Sequence, residues 1–315
     1  MTITNPILMP DVFVPDVEAH VWEDGRIYLY GSFDLSGKRT YCSDVYHVYF
    51  SDNLRDWTDH GVSFSLAATK DGWAKDQGAL YAPDCAYRNG TYYLYYCVPD
   101  GRCGVAVSGD PAGPFEDLGP MERVHGIDPA VLLDDDGQAW FYWGQFDRVR
   151  AARLRDNMTE IDPDTAVQPL SVAEHEFHEG SSVKKIGGKY YYLFTDTHRH
   201  GGRATSLGYA VSDRPDRGFR YGGMRRKSVF IGIQFNIPLI LRLFARYVRF
   251  QVCVLFRKKP AHPSPPAVRR FPFTVPSGSL RCARVPSVLP FQQTPQHPSR
   301  RVPGRLSCSK YTAFS

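Results

Sequence analysis

The second part of the chain contains no acidic residue. All 33 Asp and Glu lie between Asp11 and Asp216, whereas 17 of the 38 Lys and Arg lie in residues 225–315. Residues 1–224 therefore carry 21 basic against 33 acidic side chains, and half of the 24 prolines fall in the basic remainder. Such a change in composition predicts two unlike segments that meet near Met224.

Cysteines and membrane-spanning runs are also scarce. Seven cysteines in 315 residues, with no Cys-x-x-Cys pair, exclude a disulfide framework and offer no metal-ligand spacing. The first ten residues, MTITNPILMP, lack the basic and apolar regions of a secretory signal, so we expect a cytoplasmic location. Three arginines and Pro238 interrupt the apolar stretch 229–256. Each arginine costs roughly 2.5–3.5 kcal/mol at the centre of a membrane helix, so we expect no membrane partner.

The basic, proline-rich segment 225–315 could bind nucleic acid through its 17 positive charges. No nucleic-acid-binding module is legible in it, and its Arg, Pro and Ser content is typical of segments that bury too little apolar surface to fold. We therefore predict a disordered tail without a nucleic-acid partner, translated from another reading frame or from a retained non-coding stretch. Sequencing the transcript across codons 220–230 tests this origin. An uninterrupted reading frame, with a similar tail in relatives, would rule out the frame-shift or non-coding origin.

Residues 1–224 contain a repeat of a tight turn followed by an aromatic strand. Asp-Gly, Asn-Gly and Gly-Gly turns between apolar runs are strong hairpin signals. The four segments are 24–32, 89–97, 136–144 and 187–195, and their glycines are Gly25, Gly90, Gly137 and Gly188. A second strand pair follows each hairpin, in 45–61, 104–119, 149–162 and 207–223.

Four strands in a repeat of about 50 residues are the signature of a β-propeller blade. The segments are too short, and too rich in β-branched and aromatic residues, for helices. A β-sandwich is the structural alternative, since it has similar strand spacing, but it gives no reason for a repeat of blade length. We therefore predict an all-β propeller domain in residues 1–224.

One position of the repeat is acidic in three of the four blades. Asp16, Asp128 and Glu179 each lie nine residues before the hairpin glycine, whereas Asp84 lies six before it. First strands of blades line the central channel, so the three side chains are expected to meet at one end of it. Asp often caps turns, which would explain one such residue but not three at one offset. Hydrolysis of a glycosidic bond needs one carboxyl to protonate the leaving oxygen and another to activate water.

Four segments in order resemble successive blades of family 43 glycoside hydrolases, over roughly residues 5–223. They are VPDVEAHVWEDGRIYLYGSFD, YAPDCAYRNGTYYLYY, GIDPAVLLDDDGQAWFYWG and HEGSSVKKIGGKYYYLFT. The resemblance implies a five-bladed β-propeller that cleaves α-L-arabinofuranosyl or β-D-xylosyl linkages of oligo- and polysaccharides with inversion. By matching motif, Asp16 would be the general base, Asp128 the modulator that orients and tunes the acid, and Glu179 the general acid. It implies no cofactor for the chemistry and leaves room for a structural calcium ion.

The chain departs from the family pattern in three places. Val17 follows Asp16 where proline is usual, Tyr81 stands where tryptophan is common, and no fifth blade is legible after residues 219–223. A truncated, inactive member or a non-catalytic carbohydrate-binding propeller is therefore the alternative function. A retaining fructan hydrolase is a third, but the chain lacks an Asn-Asp-Pro-Asn-Gly motif near its start and an Arg-Asp-Pro motif around Asp128.

Four further side chains are candidates for sugar binding. Tyr81 and Trp73 offer aromatic faces for stacking on a sugar ring. His20 and His178 lie close to the predicted acids and could contact sugar hydroxyls, although a histidine at the start of a strand more often has a structural partner.

Overall fold

The computed structural model describes residues 8, 12–38, 40–197 and 206–224. Its regular structure there is almost entirely β, with four antiparallel sheets whose strands follow one another in chain order. This confirms the predicted all-β propeller, with each sheet forming one blade. The predicted disordered tail, 225–315, lies outside the described residues. No helix among the described residues is long and apolar enough to cross a bilayer.

The strand boundaries agree with the predicted repeat. Blade 1 comprises β1 (Glu18–Val21), β2 (Ile27–Tyr30), β3 (Val45–Ser51) and β4 (Thr58–Ser65). Blade 2 comprises β5 (Tyr81–Arg88), β6 (Thr91–Cys97), β7 (Arg102–Ser108) and β8 (Glu116–His125). Blade 3 comprises β9 (Ala130–Leu133), β10 (Ala139–Trp143) and β11 (Arg150–Arg153). Blade 4 comprises β12 (Phe177–Ile186), β13 (Lys189–Asp196), β14 (Ser206–Ser212) and β15 (Arg220–Met224).

The helical elements are short and lie between strands. The α-helix α1 spans Val172–His175, and the 3-10 helices span Leu66–Ala68, Lys70–Gly72, Phe146–Arg148 and Pro163–Thr165. The first hairpin of each blade closes at the predicted turn. Asn89 and Gly90 have φ of 52° and 83°, and Gly187 and Gly188 have φ of 57° and 78°. Two consecutive left-handed residues are what a type I′ turn requires, which explains the Asn-Gly and Gly-Gly pairs.

Blade 3 lacks the regular fourth strand that the repeat predicts over 149–162, so that part of the prediction is wrong. The outer position holds only isolated bridges, Leu154 with Ile161 and Ala151 with Val167. Pro163 has no N–H to donate to a sheet and begins a 3-10 helix instead. The Thr165 hydroxyl oxygen accepts the bond from the Arg153 N–H at 2.9 Å that a strand carbonyl would otherwise accept.

Consecutive blades are joined by aromatic cores. Rings meet across each interface: Phe64 and Tyr96 at 4.7 Å, Tyr95 and Phe141 at 5.4 Å, and Tyr142 and Tyr192 at 5.5 Å between centroids. A repeated tyrosine hydroxyl also donates to a backbone carbonyl of the next blade. These bonds run from Tyr30 to Pro111, from Tyr95 to Met158 and from Tyr142 to Pro215, at 2.6, 2.8 and 2.8 Å. The three tyrosines lie five residues after their hairpin glycine, and Leu193 holds that position in blade 4.

The first strands of the four blades meet around a central channel. Asp84 on β5 links three of them, because its carboxylate lies 2.7 Å from His20 Nε2 and accepts the backbone N–H of Val131 at 2.7 Å. Lys184 on β12 reaches Glu18 on β1, with Nζ 3.2 Å from Oε2. Residues that lie just before or on these strands therefore come together, although they are far apart in sequence.

Candidate active site

Asp16 and Asp128 occupy equivalent positions in blades 1 and 3. Each precedes the first strand of its blade, and their φ angles are 56° and 55°. Left-handed backbone is uncommon outside glycine, and Asp tolerates it better than most residues. Such a conformation costs of order 1–3 kcal/mol and is concentrated at functional sites. In blades 1 and 3, equal spacing in the repeat thus corresponds to equal backbone geometry, whereas Glu179 in blade 4 is not left-handed.

Glu179 projects from an irregular stretch of β12. The register of β12 against β13 shifts on both sides of Glu179, and Gly180 has a φ of 78°. The Gly180 N–H donates to Asp128 Oδ2 at 3.0 Å. The bulge therefore connects the Glu179 segment of blade 4 directly to the carboxylate of blade 3. A side chain at residue 180 would bring a Cβ within 3.2 Å of Thr195 Oγ1.

The three acidic side chains influence one another electrostatically. Burial, followed by the negative charges of Asp16 and Glu179, raises the pKa of Asp128 well above its usual value. Burial also raises the pKa of Asp16 to about 6, with smaller contributions in the same direction from Glu179 and Asp34, against the hydrogen bond from Ser32. The structure thus brings together Asp16, Asp128 and Glu179, as the repeat predicts. Perturbed carboxyls of this kind are characteristic of acid–base sites.

Two supporting residues, which the sequence analysis did not identify, lie at a second fixed offset. The Ser32 hydroxyl donates to Asp16 Oδ2 at 3.0 Å, and Cys97 Sγ accepts the Asp128 N–H at 3.4 Å. Both lie seven residues after the hairpin glycine; Cys97 is the last residue of β6, and Ser32 lies two residues beyond the end of β2. The offset of seven residues after the hairpin glycine could therefore have identified these two neighbours of the acids from the sequence.

Three side chains surround Glu179. Gln145 Nε2 donates to Glu179 Oε2 at 2.6 Å. His178 Nδ1 lies 3.9 Å from Glu179 Oε1, and its ring packs on Phe146 with centroids 4.5 Å apart. His178 is therefore next to the proposed acid, as the sequence suggested, whereas Gln145 and Phe146 were not foreseen.

Tyr81 lies at the side of the site near Asp16. Its ring is 6.2 Å from that of Tyr41, which is 72% exposed. Cys42 is next to Tyr41, and its thiol contacts Ser32 and lies in the field of Asp16. Burial is the main reason that the pKa of this thiol is raised to about 12. A cleft of about 320 Å³ adjoins this wall, lined by Phe13, Asp34, Leu35, Ser36, Gly37, Lys38, Thr40 and Tyr41. Tyr81 thus borders this wall of the site, and its role in stacking on a sugar stays a prediction.

Trp73 and His20 have structural partners instead. The Trp73 indole N–H donates to Asp117 Oδ2 at 2.8 Å, and its ring packs between Tyr96 and the Arg102 guanidinium within blade 2. His20 pairs with Asp84 and stacks on Trp22 at 4.8 Å. Among the described residues, neither side chain has a recorded contact with the three acids, and their roles as sugar contacts stay predictions.

One cluster of possible metal ligands lies in the channel, where the resemblance allows a calcium ion. Glu18, His20 and Asp84 each offer one ligand atom, and these atoms lie within 4.8 Å of one another. Calcium takes six to eight oxygen ligands, however, whereas this set includes an imidazole nitrogen. Burial opposes a charge on Lys184, but Glu18 and Asp84 raise its pKa above the usual value. The Lys184 ammonium already offsets part of the negative charge of Glu18 and Asp84, so these donors fit an internal ion-pair network better than a calcium site.

The propeller and its three interacting carboxyls define a hydrolase of the carboxylate-dependent glycosidase class. The chain belongs to glycosyl hydrolases family 43, whose family model matches residues 3–218. The fold neighbours are five-bladed propellers of the same family.

Named relatives and solved structures agree with the family. A xylosidase/arabinosidase 43A from Humicola insolens is 33% identical over 253 residues, which cover 61% of this chain and 75% of the relative. A xylosidase/arabinosidase from Bacteroides ovatus is 33% identical over 271 residues, which cover 69% of this chain and 79% of the relative. A Xanthomonas citri enzyme solved with xylose has a TM-score of 0.61 at 28% identity, covering 70% of this chain and 76% of that one. An α-L-arabinofuranosidase from Clostridium thermocellum has a TM-score of 0.57 at 32% identity, with coverage of 69% and 74%.

Proposed function

We propose that the chain hydrolyses α-L-arabinofuranosyl or β-D-xylosyl linkages with inversion, with Asp16 as general base, Glu179 as general acid and Asp128 as modulator. In this reaction Asp16 removes a proton from water while the water oxygen attacks the anomeric carbon. The bond from that carbon to the leaving oxygen breaks, and Glu179 gives its proton to that oxygen. The steps are proton transfers among carboxyls, water and substrate, so they call for no cofactor.

The observation that carries this proposal is the mutual electrostatic influence of the three carboxyls, drawn from three different blades. With a pKa of about 6, Asp16 is ionised at neutral pH and remains basic enough to accept a proton. Asp128 contacts the Glu179 segment through the Gly180 N–H, which suits a residue that orients the acid. The sugar classes are supported by the names of relatives, several of which are xylosidase/arabinosidases.

The test is hydrolysis of aryl α-L-arabinofuranoside and aryl β-D-xyloside by the full chain, with NMR of the first-formed anomer. Inversion predicts a product of opposite anomeric configuration. Glu179→Gln is expected to lower kcat/KM by roughly 10²–10⁴-fold, since general acid–base catalysis contributes about that much. Glu174→Gln, on the exposed side of α1, is the matched control and is expected to keep full activity.

The non-catalytic alternative makes a different forecast for the same samples. A sugar-binding propeller would bind arabino- or xylo-oligosaccharides without releasing product. If calorimetry shows oligosaccharide binding while neither aryl glycoside is hydrolysed, the chain is a carbohydrate-binding protein and the proposed hydrolase activity is wrong. An unchanged rate in Glu179→Gln would leave hydrolysis standing but remove the acid assignment.

A further inference from the structure

We infer that Gln145 is a positioning residue that holds one oxygen of Glu179 and leaves the catalytic proton on the other. The inference rests on the proposed function and deepens it. Gln145 Nε2 donates to Glu179 Oε2 at 2.6 Å, which is a short amide–carboxyl bond. A half-buried amide in contact with the proposed acid has a direct means of controlling how that acid is oriented.

The backbone that carries Gln145 is fixed to the segment that carries Asp128. The Gly144 N–H donates to the Ile127 carbonyl at 2.7 Å, one residue before Asp128. Gly144 has a φ of 105°, and a Cβ there would lie 2.6 Å from the Arg148 carbonyl oxygen. Only glycine fits this approach, so the chain leaves β10 along a defined path. The backbone carbonyl of Gln145 then accepts the Arg148 N–H at 2.9 Å, and the 3-10 helix begins at the next residue, Phe146.

The other end of this short helix is tied to blade 4. Asp147 Oδ1 accepts the N–H of Val172, the first residue of α1, at 2.9 Å. Phe146 adopts a left-handed φ of 48° and packs its ring against His178. Left-handed backbone in a bulky residue is strained and persists only where the surroundings hold it. The 145–148 turn is thus held at both ends, and it presents one amide to Glu179.

The direction of the hydrogen bond determines where the proton of the acid lies. An amide N–H can only donate, so Glu179 Oε2 must offer a lone pair to it. In the protonated acid the carbonyl oxygen is a better acceptor than the hydroxyl oxygen, so this bond favours the form with the hydrogen on Oε1. The nearest recorded polar neighbour of Oε1 among the described residues is His178 Nδ1 at 3.9 Å, which is beyond hydrogen-bond distance. Oε1 is therefore available to protonate the leaving oxygen.

Loss of the amide is expected to weaken acid catalysis specifically. Gln145→Met keeps the length of the side chain but removes the donor, so the carboxyl can rotate and carry its proton on either oxygen. A misplaced catalytic group can cost about 10²-fold. For a glycoside with a poor leaving group, such as the methyl glycoside or a disaccharide, we expect kcat/KM to fall about 10–100-fold. For a 2,4-dinitrophenyl glycoside, whose leaving group needs no proton, we expect a fall of less than about threefold.

The experiment compares both substrates in wild type, Gln145→Met, Gln145→Glu and Gln77→Met. Gln77→Met is the matched control, because Gln77 Nε2 donates to Asp100 Oδ2 at 2.9 Å on the exposed side of blade 2. Gln145→Glu can donate to Glu179 only when the introduced carboxyl is protonated. Its activity on the poor leaving group, taken as a ratio to that of wild type at the same pH, is therefore expected to recover as the pH is lowered, whereas the ratio for Gln145→Met is not.

The outcomes separate the inference from the proposed function. If wild type hydrolyses neither substrate, the proposed function fails. If wild type is active but Gln145→Met loses the same factor on both substrates, or loses nothing, the positioning role is wrong. A recovery of Gln145→Glu at acid pH supports the role independently of any loss of stability in Gln145→Met.

Discussion

Removing the charge of Asp16 is expected to stabilise the fold while it abolishes catalysis. The carboxyl is largely buried beside other acids, so ionising it in the folded state is costly, and its pKa rises to about 6. Asn at this position keeps the size of the side chain and tolerates the same left-handed backbone as Asp. The Asp16→Asn variant therefore changes the charge with little change in shape.

The size and sign of the effect follow from linkage. The folded state holds the proton up to about pH 6, whereas an unfolded Asp loses it near 3.8. Between these values the folded state binds more protons, so the free energy of unfolding of wild type falls as the pH rises. The loss is complete above pH 6 and amounts to roughly 3 kcal/mol at 1.36 kcal/mol per pKa unit. Asp16→Asn avoids this loss.

The assay is urea unfolding of wild type and Asp16→Asn between pH 4 and pH 7.5, followed by tryptophan fluorescence. We expect the variant to be more stable by about 2–3 kcal/mol at pH 7, with the difference shrinking toward pH 4. Asp156→Asn, at a fully exposed carboxylate, serves as the control and is expected to differ from wild type by less than about 0.5 kcal/mol throughout. An Asp16→Asn variant that is less stable at pH 7, or equally shifted at every pH, would refute the reasoning.

Four further predictions concern neighbouring features. The kcat/KM of wild type is expected to fall as the pH drops through about 6 in a pH–rate profile, because Asp16 must be ionised. Ser32→Ala is expected to move this acid limb of the profile to higher pH, because it removes a hydrogen bond that favours the ionised form of Asp16. Gly180→Ala is expected to lower kcat at least tenfold in steady-state assays, since φ of 78° and the N–H bond to the modulator are both disturbed. Lys184→Met is expected to cost about 3–5 kcal/mol in denaturant unfolding, because it leaves a buried carboxylate unpaired. Tyr95→Phe is expected to cost about 1–3 kcal/mol in the same assay, since a carbonyl of the next blade loses its donor.

The parts of the fold that recur were predictable from the sequence. Hairpin glycines fixed the blades, and acids nine residues before them identified Asp16, Asp128 and Glu179 before any coordinates. The irregular outer edge of blade 3 was not predictable, because its apolar positions continue the repeat while Pro163 prevents the ladder. Gln145 was also beyond reach, since it lies in a connecting turn whose sequence has no counterpart in the other blades.

The histidines show why a single strand is ambiguous. His20 lies four residues after Asp16 and was weighed as a sugar contact for that reason. Its partner in the structure is Asp84, 64 residues away in the next blade. Asp16 precedes β1 and has left-handed backbone, so the alternation of side chains along the strand does not relate Asp16 to His20. His178 adjoins Glu179 in sequence and stays beside it in space, since it lies at the bulge. Sequence proximity was therefore a reliable guide only where the strand is irregular.

The offset from the hairpin glycine also indicates depth in the channel. Strands rise about 3.3 Å per residue, so acids at offsets of nine and of six or seven belong to different layers. Asp16, Asp128 and Glu179 form the layer at offset nine, and no described Lys or Arg has a recorded ion pair with them. Glu18 and Asp84, at offsets seven and six, form a deeper layer. There burial opposes ionisation, but His20 and Lys184 lower the pKa of Asp84.

The two layers thus treat the same residue type in opposite ways. In the deeper layer the charges of His20 and Lys184 lower the pKa of Asp84, and Lys184 links β12 of blade 4 to β1 of blade 1 through Glu18. Among the described residues the layer at offset nine has no such ion pair with Lys or Arg, and burial, followed by repulsion between the carboxylates, raises the pKa values of Asp16 and Asp128. Proton transfer at neutral pH uses carboxyls whose pKa is raised, whereas a structural ion pair uses carboxyls whose pKa is lowered. The departure of Asp84 from the common offset therefore distinguishes a structural acid from the three acids proposed to be catalytic.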